Sequence, residues 1–238
     1  MPFGAMRHGF TYQPAVAAGR DPLTITVLGD SITSTTQKKI GTAAFYGDGT
    51  GDVVYGDTTS VYDFTANDFT WECWFYNQGQ VNRHMAGISG DSNLATMSLY
   101  HQGTTVRVYA GLSGGGWQWN YGLTGFTGTA GSPVWEHIAI TKEGNTWKGF
   151  VNGGSPVTMY STGYTMTASK YVSIGGVKNN GGWEAWPGYI DEMRVSNNIR
   201  YTTSFTPSTS AFVNDSNTVC LLHCDGSNGG TTFTDDAS

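Results

Sequence analysis

Gly188-Tyr189-Ile190-Asp191-Glu192-Met193-Arg194-Val195 decides the fold class; it lies within the run W-E-A-W-P-G-Y-I-D-E-M-R-V-S-N-N-I-R-Y-T-T-S-F-T-P-S-T-S-A-F of residues 183–212. Apolar and polar side chains alternate through the octet, the period of a strand with one face in a core. The alternation puts Asp191 and Glu192 on opposite faces of that strand. Outward from it the same texture repeats. Residues 23–28 alternate and stop at Gly29-Asp30, and residues 95–100 and 105–110 flank His101-Gln102-Gly103-Thr104, the spacing of a hairpin. After the glycine-rich residues 113–116, Trp117, Trp119 and Tyr121 fall on one side of an extended segment.

Composition agrees with an all-β reading. A chain of 238 residues has room for one large domain whose core needs no disulfides. Charged residues make up only 13% while glycines number 34, which suits many short strands joined by tight turns. The formal charge is −6 and no basic run exceeds Lys38-Lys39, so phosphate neutralisation, and with it a nucleic-acid partner, is not expected. Cys73, Cys220 and Cys224 form an odd set without C-x-x-C spacing, which argues against a disulfide framework or a zinc site. Four strand residues separate Cys220 from Cys224 by about 13 Å, too far for a bridge, so reduced, packed thiols are expected. Residues 1–22 carry Pro2, Pro14 and Pro22 without periodicity and read as an extended arm ordered against a neighbour, with residues 23–238 as the sandwich domain. The amino terminus lacks the apolar stretch of a secretory signal, and no segment has membrane-spanning length, so a chain made in the cytoplasm without membrane insertion is the expectation.

Four segments in order resemble one family. Residues 188–207 are similar to a G-x-I-D-E-V-R-I-S-N-x-A-R-Y-x-x-x-F-x-P-P signature, and residues 45–54, F-Y-G-D-G-T-G-D-V-V, to an opening F-D-G-T-G-D-Y-V. Residues 64–76 resemble an F-x-x-x-D-F-T-I-E-C-W-F-Y strand, and residues 134–141 with 145–153 the paired W-x-H-I-A-x-T-R and W-x-x-F-V-N-G strands. These are motifs of the laminin-G/pentraxin-like branch of the concanavalin A-like jelly rolls, notably the copies in phage and marine virion proteins. The resemblance implies a concanavalin A-like jelly-roll β-sandwich of two antiparallel sheets. The closing residues 221–238, L-L-H-C-D-G-S-N-G-G-T-T-F-T-D-D-A-S, are similar to a segment that in tandem members opens the next domain. Pairing within this chain's own sandwich is the favoured reading, because residues 218–224 are apolar enough to need burial; a relic of a lost second copy is the other.

No complete catalytic set is present. Residues 25–33, I-T-V-L-G-D-S-I-T, look like the first block of GDSL-type esterases, with Ser31 as nucleophile. That chemistry needs a base and an orienting group, yet no histidine has an aspartate three residues before it, and the G-x-N-D block is missing. The E-x-D-x-x-E triplet of sandwich glycosidases is also absent.

Binding remains. The resemblance implies a structural Ca²⁺ at Asp191, with Asp48, Asp52 and Asp225 in Asp-Gly or Gly-Asp turns as further ligands; simple Asx-turns are the alternative. Trp117, Trp119, Tyr121, Trp183 and Trp186 are the candidate platform for stacking a sugar, with Asp91, Asn93, Asn179 and Asn180 as hydroxyl partners, whereas Trp71, Trp74, Trp135 and Trp147 read as core. The function expected is a non-catalytic phage virion protein, a capsid decoration or fibre component, contacting other subunits through the arm. The resemblance implies a homo-oligomer of trimer type. A carbohydrate-binding adhesin for cell-surface glycans is the alternative, and a GDSL-type esterase a weaker one.

Overall fold

The computed structural model describes residues 20–79, 82–90, 95–111, 116–163, 166, 170–179 and 182–237. Most of the arm expected over residues 1–22 therefore lies outside the described residues, as do Asp91, Asn93, Asn180 and most of the 113–116 stretch. In chain order the strands are β1 (Ile25–Leu28), β2 (Ile32–Ser34), β3 (Ala44–Gly47), β4 (Val53–Asp57), β5 (Phe69–Asn77), β6 (Arg83–Ser89), β7 (Ala95–Gln102), β8 (Thr105–Gly111) and β9 (Trp117–Leu123). They continue as β10 (Val134–Glu143), β11 (Thr146–Val151), β12 (Val157–Tyr160), β13 (Tyr171–Ile174), β14 (Gly176–Asn179), β15 (Gly182–Ala185), β16 (Gly188–Ser196) and β17 (Thr218–Leu222). Among the described residues no helix is long and apolar enough to cross a membrane.

Two antiparallel sheets face each other. The first has seven strands in the order β1-β4-β13-β6-β7-β8-β9; the second runs β12-β11-β10-β5-β16-β3-β2, with β17 also paired to β16. Alternate residues of the first sheet, among them Val54, Val172, Ile88, Leu99, Val108 and Trp119, meet Phe45, Trp71, Phe75, Ile140, Trp147 and Val195 of the second in one apolar core. Expected strands appear where the alternation placed them, including the β7–β8 hairpin closed at Gly103-Thr104. The three cysteines are buried and free, and burial pushes each thiol well above its ordinary range.

Residues 188–195 lie in β16, inside the second sheet between β5 and β3, but their alternation is interrupted. Asp191 lies opposite Trp74 and Arg194 opposite Glu72, so two residues face one and a β-bulge results. Glu192 takes φ 51° within it. The bulge overrides the expectation that Asp191 and Glu192 point to opposite faces: the Glu192 carboxylate accepts from the Phe212 N–H at 2.6 Å and contacts His223 Nδ1 at 2.9 Å.

The carboxyl tail docks on its own sandwich. Thr33 and residues 229–230 exchange backbone hydrogen bonds, the Asp236 N–H donates to the Leu221 carbonyl at 2.8 Å, and Asp225 accepts from the Thr42 hydroxyl at 2.8 Å. Segment 197–217 covers part of the outer face of the second sheet, where Trp74, Phe212, Leu221 and Ala237 form a smaller apolar cluster.

Candidate functional site

One row of paired residues crosses the outer face of the seven-stranded sheet: Tyr55, Ser173, Gly87, Ser98, Tyr109 and Asn120. The middle of the row is small, and the β14–β15 hairpin lies over it. Gly87 makes this seating possible, since a Cβ there would stand 3.0 Å from Val177 Cγ1 of the hairpin and 2.2 Å from the Met97 carbonyl oxygen. The large residues at the two ends of the row are left on either side of the hairpin.

On the β8–β9 side they form an aromatic groove. Trp117 packs on Tyr109 at 4.8 Å between ring centroids and on His84 at 5.9 Å, while Tyr100 meets Tyr109 at 5.6 Å and His84 at 4.7 Å. Tyr100, Tyr109 and Trp117 are half-buried, so parts of their rings face solvent. His84 is buried beneath them; its Nδ1 contacts the Ser98 hydroxyl and its Nε2 stands 3.4 Å from Glu184 Oε2. Burial lowers the His84 pKa against the opposing pull of Glu184, and a neutral ring with its proton on Nε2 satisfies both neighbours.

Polar groups rim the groove. Glu184, 44% exposed, is held by His84 and by the Asn179 amide, which donates to Oε1 at 2.6 Å. Arg107 is fixed by Asn120 at 2.7 Å and Gln102 at 3.1 Å. Burial, Tyr109 and Glu184 together raise the Tyr100 pKa, keeping its hydroxyl protonated. The result is three apolar ring surfaces beside a fixed carboxylate, a guanidinium and an amide.

The five aromatic residues expected to form one platform are distributed differently. Gly111 pairs with Trp117 but Ala110 with Trp119, so a bulge places Gln118 as the extra residue and turns Trp117 to the outer face. Trp119 instead enters the core, stacked on Tyr160 at 5.1 Å and edge-on to Trp147 at 5.3 Å. Trp186 is fully buried and donates its indole N–H to His101 Nδ1 at 3.2 Å, so it offers no sugar-facing surface. Tyr121 is 36% exposed on edge strand β9, in register with the core residue Val108. Trp183 lies across the hairpin, stacked on Tyr55 at 4.7 Å. The groove residues Tyr100, Arg107 and Tyr109 were not singled out from sequence, although the alternation in β7 and β8 already places them outward.

The expected calcium ligands also separate. Asp191 is fully buried; its Oδ2 accepts from the Lys39 and Ile40 N–H groups at 2.8 and 3.0 Å, while Oδ1 has no hydrogen-bond partner. Such an orphaned buried oxygen fits a cation, and Asp225 is near enough to help raise the Asp191 pKa. Asp48 belongs elsewhere. The β3–β16 register sets it roughly 13 Å along the strand direction from Asp191, and it clusters with Asp30 and Asp52. There Asp52 accepts from the Asp30 and Asp48 N–H groups at 2.9 and 2.7 Å, and Asp48 makes an Asx-turn with Thr50.

Ser31 and the buried carboxylate of Glu72 are both occupied structurally. Ser31 is fully buried and its hydroxyl donates to the Leu28 carbonyl at 2.8 Å, the geometry of a turn. Glu72 is buried on the second sheet's outer face, accepting from Arg194 at 2.6 Å and Tyr201 at 2.8 Å with His137 at 3.2 Å. Burial opposes its charge, yet His137 and Arg194 hold its pKa below the ordinary value.

Two antiparallel sheets over a single core, with an aromatic outer face, define a lectin-like jelly roll. Residues 48–203 match the Laminin_G_3 family model, described as the concanavalin A-like lectin/glucanases superfamily, and the chain belongs to that family. A comparison with curated proteins returns no matching relative. Among solved structures, the binding domain of botulinum neurotoxin DC in complex with rat synaptotagmin II is 11% identical with TM-score 0.54, over 74% of this chain and 43% of that one. The same toxin's domain in complex with SialylT gives 11% and 0.53, over 73% of this chain and 42% of that one. Domain 4 of AbnA, a GH43 extracellular arabinanase from Geobacillus stearothermophilus, in complex with arabinotriose, is 19% identical with TM-score 0.50, over 78% and 84% of the two chains. This chain thus spans less than half the length of the neurotoxin domains, and identities this low establish the fold alone.

Proposed function

We propose that this protein is a non-catalytic carbohydrate-binding sandwich that takes a sugar in the groove of Tyr100, Tyr109 and Trp117. The observation that carries the reading is the convergence of those three half-buried rings with Glu184, Arg107 and Asn120 on one sheet face. The C–H face of a pyranose packs against aromatic rings, and fixed carboxylate, guanidinium and amide groups select among its hydroxyls. Glu184 is held at two points before any ligand arrives, which lowers the ordering cost of binding. Sugar-bound relatives of the fold, with SialylT and arabinotriose, support a glycan as ligand. The structural roles of Ser31 and Glu72 support a binding rather than a hydrolytic function.

A phage particle is the setting we propose, as capsid decoration or fibre component, with residues 1–22 contacting neighbouring subunits in a trimer and the groove facing host-surface glycans. Its support is the likeness of residues 45–54, 64–76 and 188–207 to virion copies of the family.

The test is a glycan array read with two tryptophan variants. Trp117→Ala is expected to abolish retention of whichever glycan binds while stability changes by about 1 kcal/mol or less. Trp119→Ala is expected to cost about 3–5 kcal/mol in chemical denaturation, as for a core aromatic. Full glycan retention by folded Trp117→Ala would remove the groove as the site.

A further inference from the structure

The second sheet carries an aromatic ladder on its outer face, on the opposite side of the sandwich from the groove. Trp135 of β10 pairs with Tyr76 of β5, and Tyr189 of β16 with Tyr46 of β3. Ile190 pairs with Phe75, which brings Tyr189 beside Tyr76 and makes the ladder continuous over four neighbouring strands. Phe45, Phe75 and Ile190, each next to a ladder residue in sequence, are fully buried in the core, so strand alternation turns the ladder away from it. Ring centroids stand 5.4 Å apart for Trp135 and Tyr76, 6.0 Å for Tyr76 and Tyr189, and 4.7 Å for Tyr189 and Tyr46.

The packing around the ladder leaves it open. Segment 197–217 and the tail cover the same sheet face around Trp74, and Trp135 stands at the border of that cluster. All four ladder residues are only half-buried. Among the described residues, no hydrogen bond engages the Tyr46 or Tyr76 hydroxyl or the Trp135 indole N–H, and none of these three groups is buried out of reach of water. Burial raises the Tyr189 pKa, with Tyr46 and Tyr76 adding to the rise, so its hydroxyl stays protonated. The polar atoms of the ladder are thus uncharged: three phenol hydroxyls that donate and accept, and one indole donor.

We infer that this ladder is a second carbohydrate-binding site, for a neutral, extended oligosaccharide lying across β10, β5, β16 and β3. Four strands at about 4.8 Å spacing give about 14 Å of aromatic surface, room for several sugar rings in line. The rings meet the C–H groups of the sugars, while phenol hydroxyls, donor and acceptor at once, match sugar hydroxyls of the same double character. No ladder side chain is charged, so nothing in it selects an ion. Neighbouring ring planes differ by 36°, 49° and 81°, which suits a chain whose successive rings turn rather than the flat face of a crystalline polymer. The groove of Tyr100, Tyr109 and Trp117 lies on the other sheet and plays no part in this assignment.

Titration of the full chain carrying Trp117→Ala isolates the ladder from the groove; the probes are β-linked hexasaccharides of glucose, xylose and galactose and the matching disaccharides. The site is supported by a hexasaccharide that binds roughly tenfold or more tighter than its disaccharide, is unaffected by added salt, and weakens about tenfold when Tyr76→Ala or Tyr189→Ala is added. Failure of all three hexasaccharides to bind folded Trp117→Ala overturns it, as do equal affinity for the disaccharide or binding unchanged by both tyrosine substitutions. Tyrosine-ring resonances of the unmodified protein give a reading that does not depend on how any variant folds. Hexasaccharide-induced shifts at Tyr46, Tyr76 and Tyr189 support the ladder, and shifts confined to Tyr100 and Tyr109 overturn it. A glycan lost in Trp117→Ala but held by Tyr76→Ala belongs to the groove, so failure of one site is distinguishable from failure of the other. Self-association of the unmodified protein that Tyr46→Ala abolishes would assign the ladder to a second copy of the chain and overturn the sugar site.

Discussion

Asp191 holds one oxygen in two backbone hydrogen bonds and leaves the other, equally buried, without any. Burial pushes its pKa up to about 7 despite the Ile40 and Lys39 N–H groups, with Glu192 and Asp225 adding to the rise. A residue in this state costs the fold energy unless something positive meets it. We propose Ca²⁺ as that partner, held by Asp191 Oδ1 with Asp225, whose other contacts are the Thr42 and Ala43 N–H groups and the Thr42 hydroxyl. At a hundredfold excess over Kd a ligand specific to the folded state adds about 2.7 kcal/mol. For a chain of this size that raises Tm by about 5–10 °C. Thermal denaturation in calcium and in chelator should show this shift for the wild type and lose it in Asp191→Asn, which preserves volume while removing the charge. Identical wild-type melting in both buffers would leave the orphaned oxygen as a cost of the fold with no metal role.

Hairpin β14–β15 is the element on which the candidate groove depends, since its Glu184 stands against His84 at the groove's edge. Its seating rests on Gly87. A methyl group there meets the Met97 carbonyl oxygen at 2.2 Å, and backbone in the middle of a sheet has little freedom to give way. Gly87→Ala should therefore cost about 1–3 kcal/mol in chemical denaturation and weaken glycan retention by displacing Glu184. Lost stability with retention unchanged would show that the hairpin does not position the groove. The row of residues beneath the hairpin was legible in the sequence, because period-2 alternation in residues 95–100 and 105–110 fixes which side chains face out. What alternation does not reveal is a bulge. Trp117-Gln118-Trp119 reads as two tryptophans on one face, yet Gln118 is an extra residue that sends them to opposite faces. Asp191-Glu192 misleads in the same way. Trp186 was misplaced for another reason: its burial depends on His101 of β7, a contact 85 residues distant in sequence.

Across the whole molecule, the first described residues and the last are joined through one carboxylate. Asp235, whose side chain is fully buried, accepts from Arg20 at 2.6 Å and the Leu23 N–H at 2.9 Å through one oxygen, and from the Leu221 and Ala237 N–H groups at 2.9 and 3.1 Å through the other. The tail that resembles the start of a further domain is thus stitched to β17, to Thr33 of β2 and to the segment leading into β1. Asp235→Ala removes the acceptor for a buried guanidinium and three buried amides, and should cost about 3–5 kcal/mol in chemical denaturation, as expected for breaking a buried pair. Asp57→Ala, which breaks the partly exposed contact to Lys170, should cost about 1 kcal/mol or less. The clasp also determines how the arm must be tested. Removal of residues 1–19 spares Arg20 and so keeps the Asp235 clasp, while, under the virion proposal, incorporation into particles is lost. Removal of residues 1–22 deletes Arg20 and should destabilise the sandwich as well, making failed incorporation ambiguous. Normal incorporation of the chain lacking residues 1–19 would exclude the arm as the subunit contact. An Asp235→Ala variant within about 1 kcal/mol of wild type would mean that the tail is held by its backbone pairing rather than by this carboxylate.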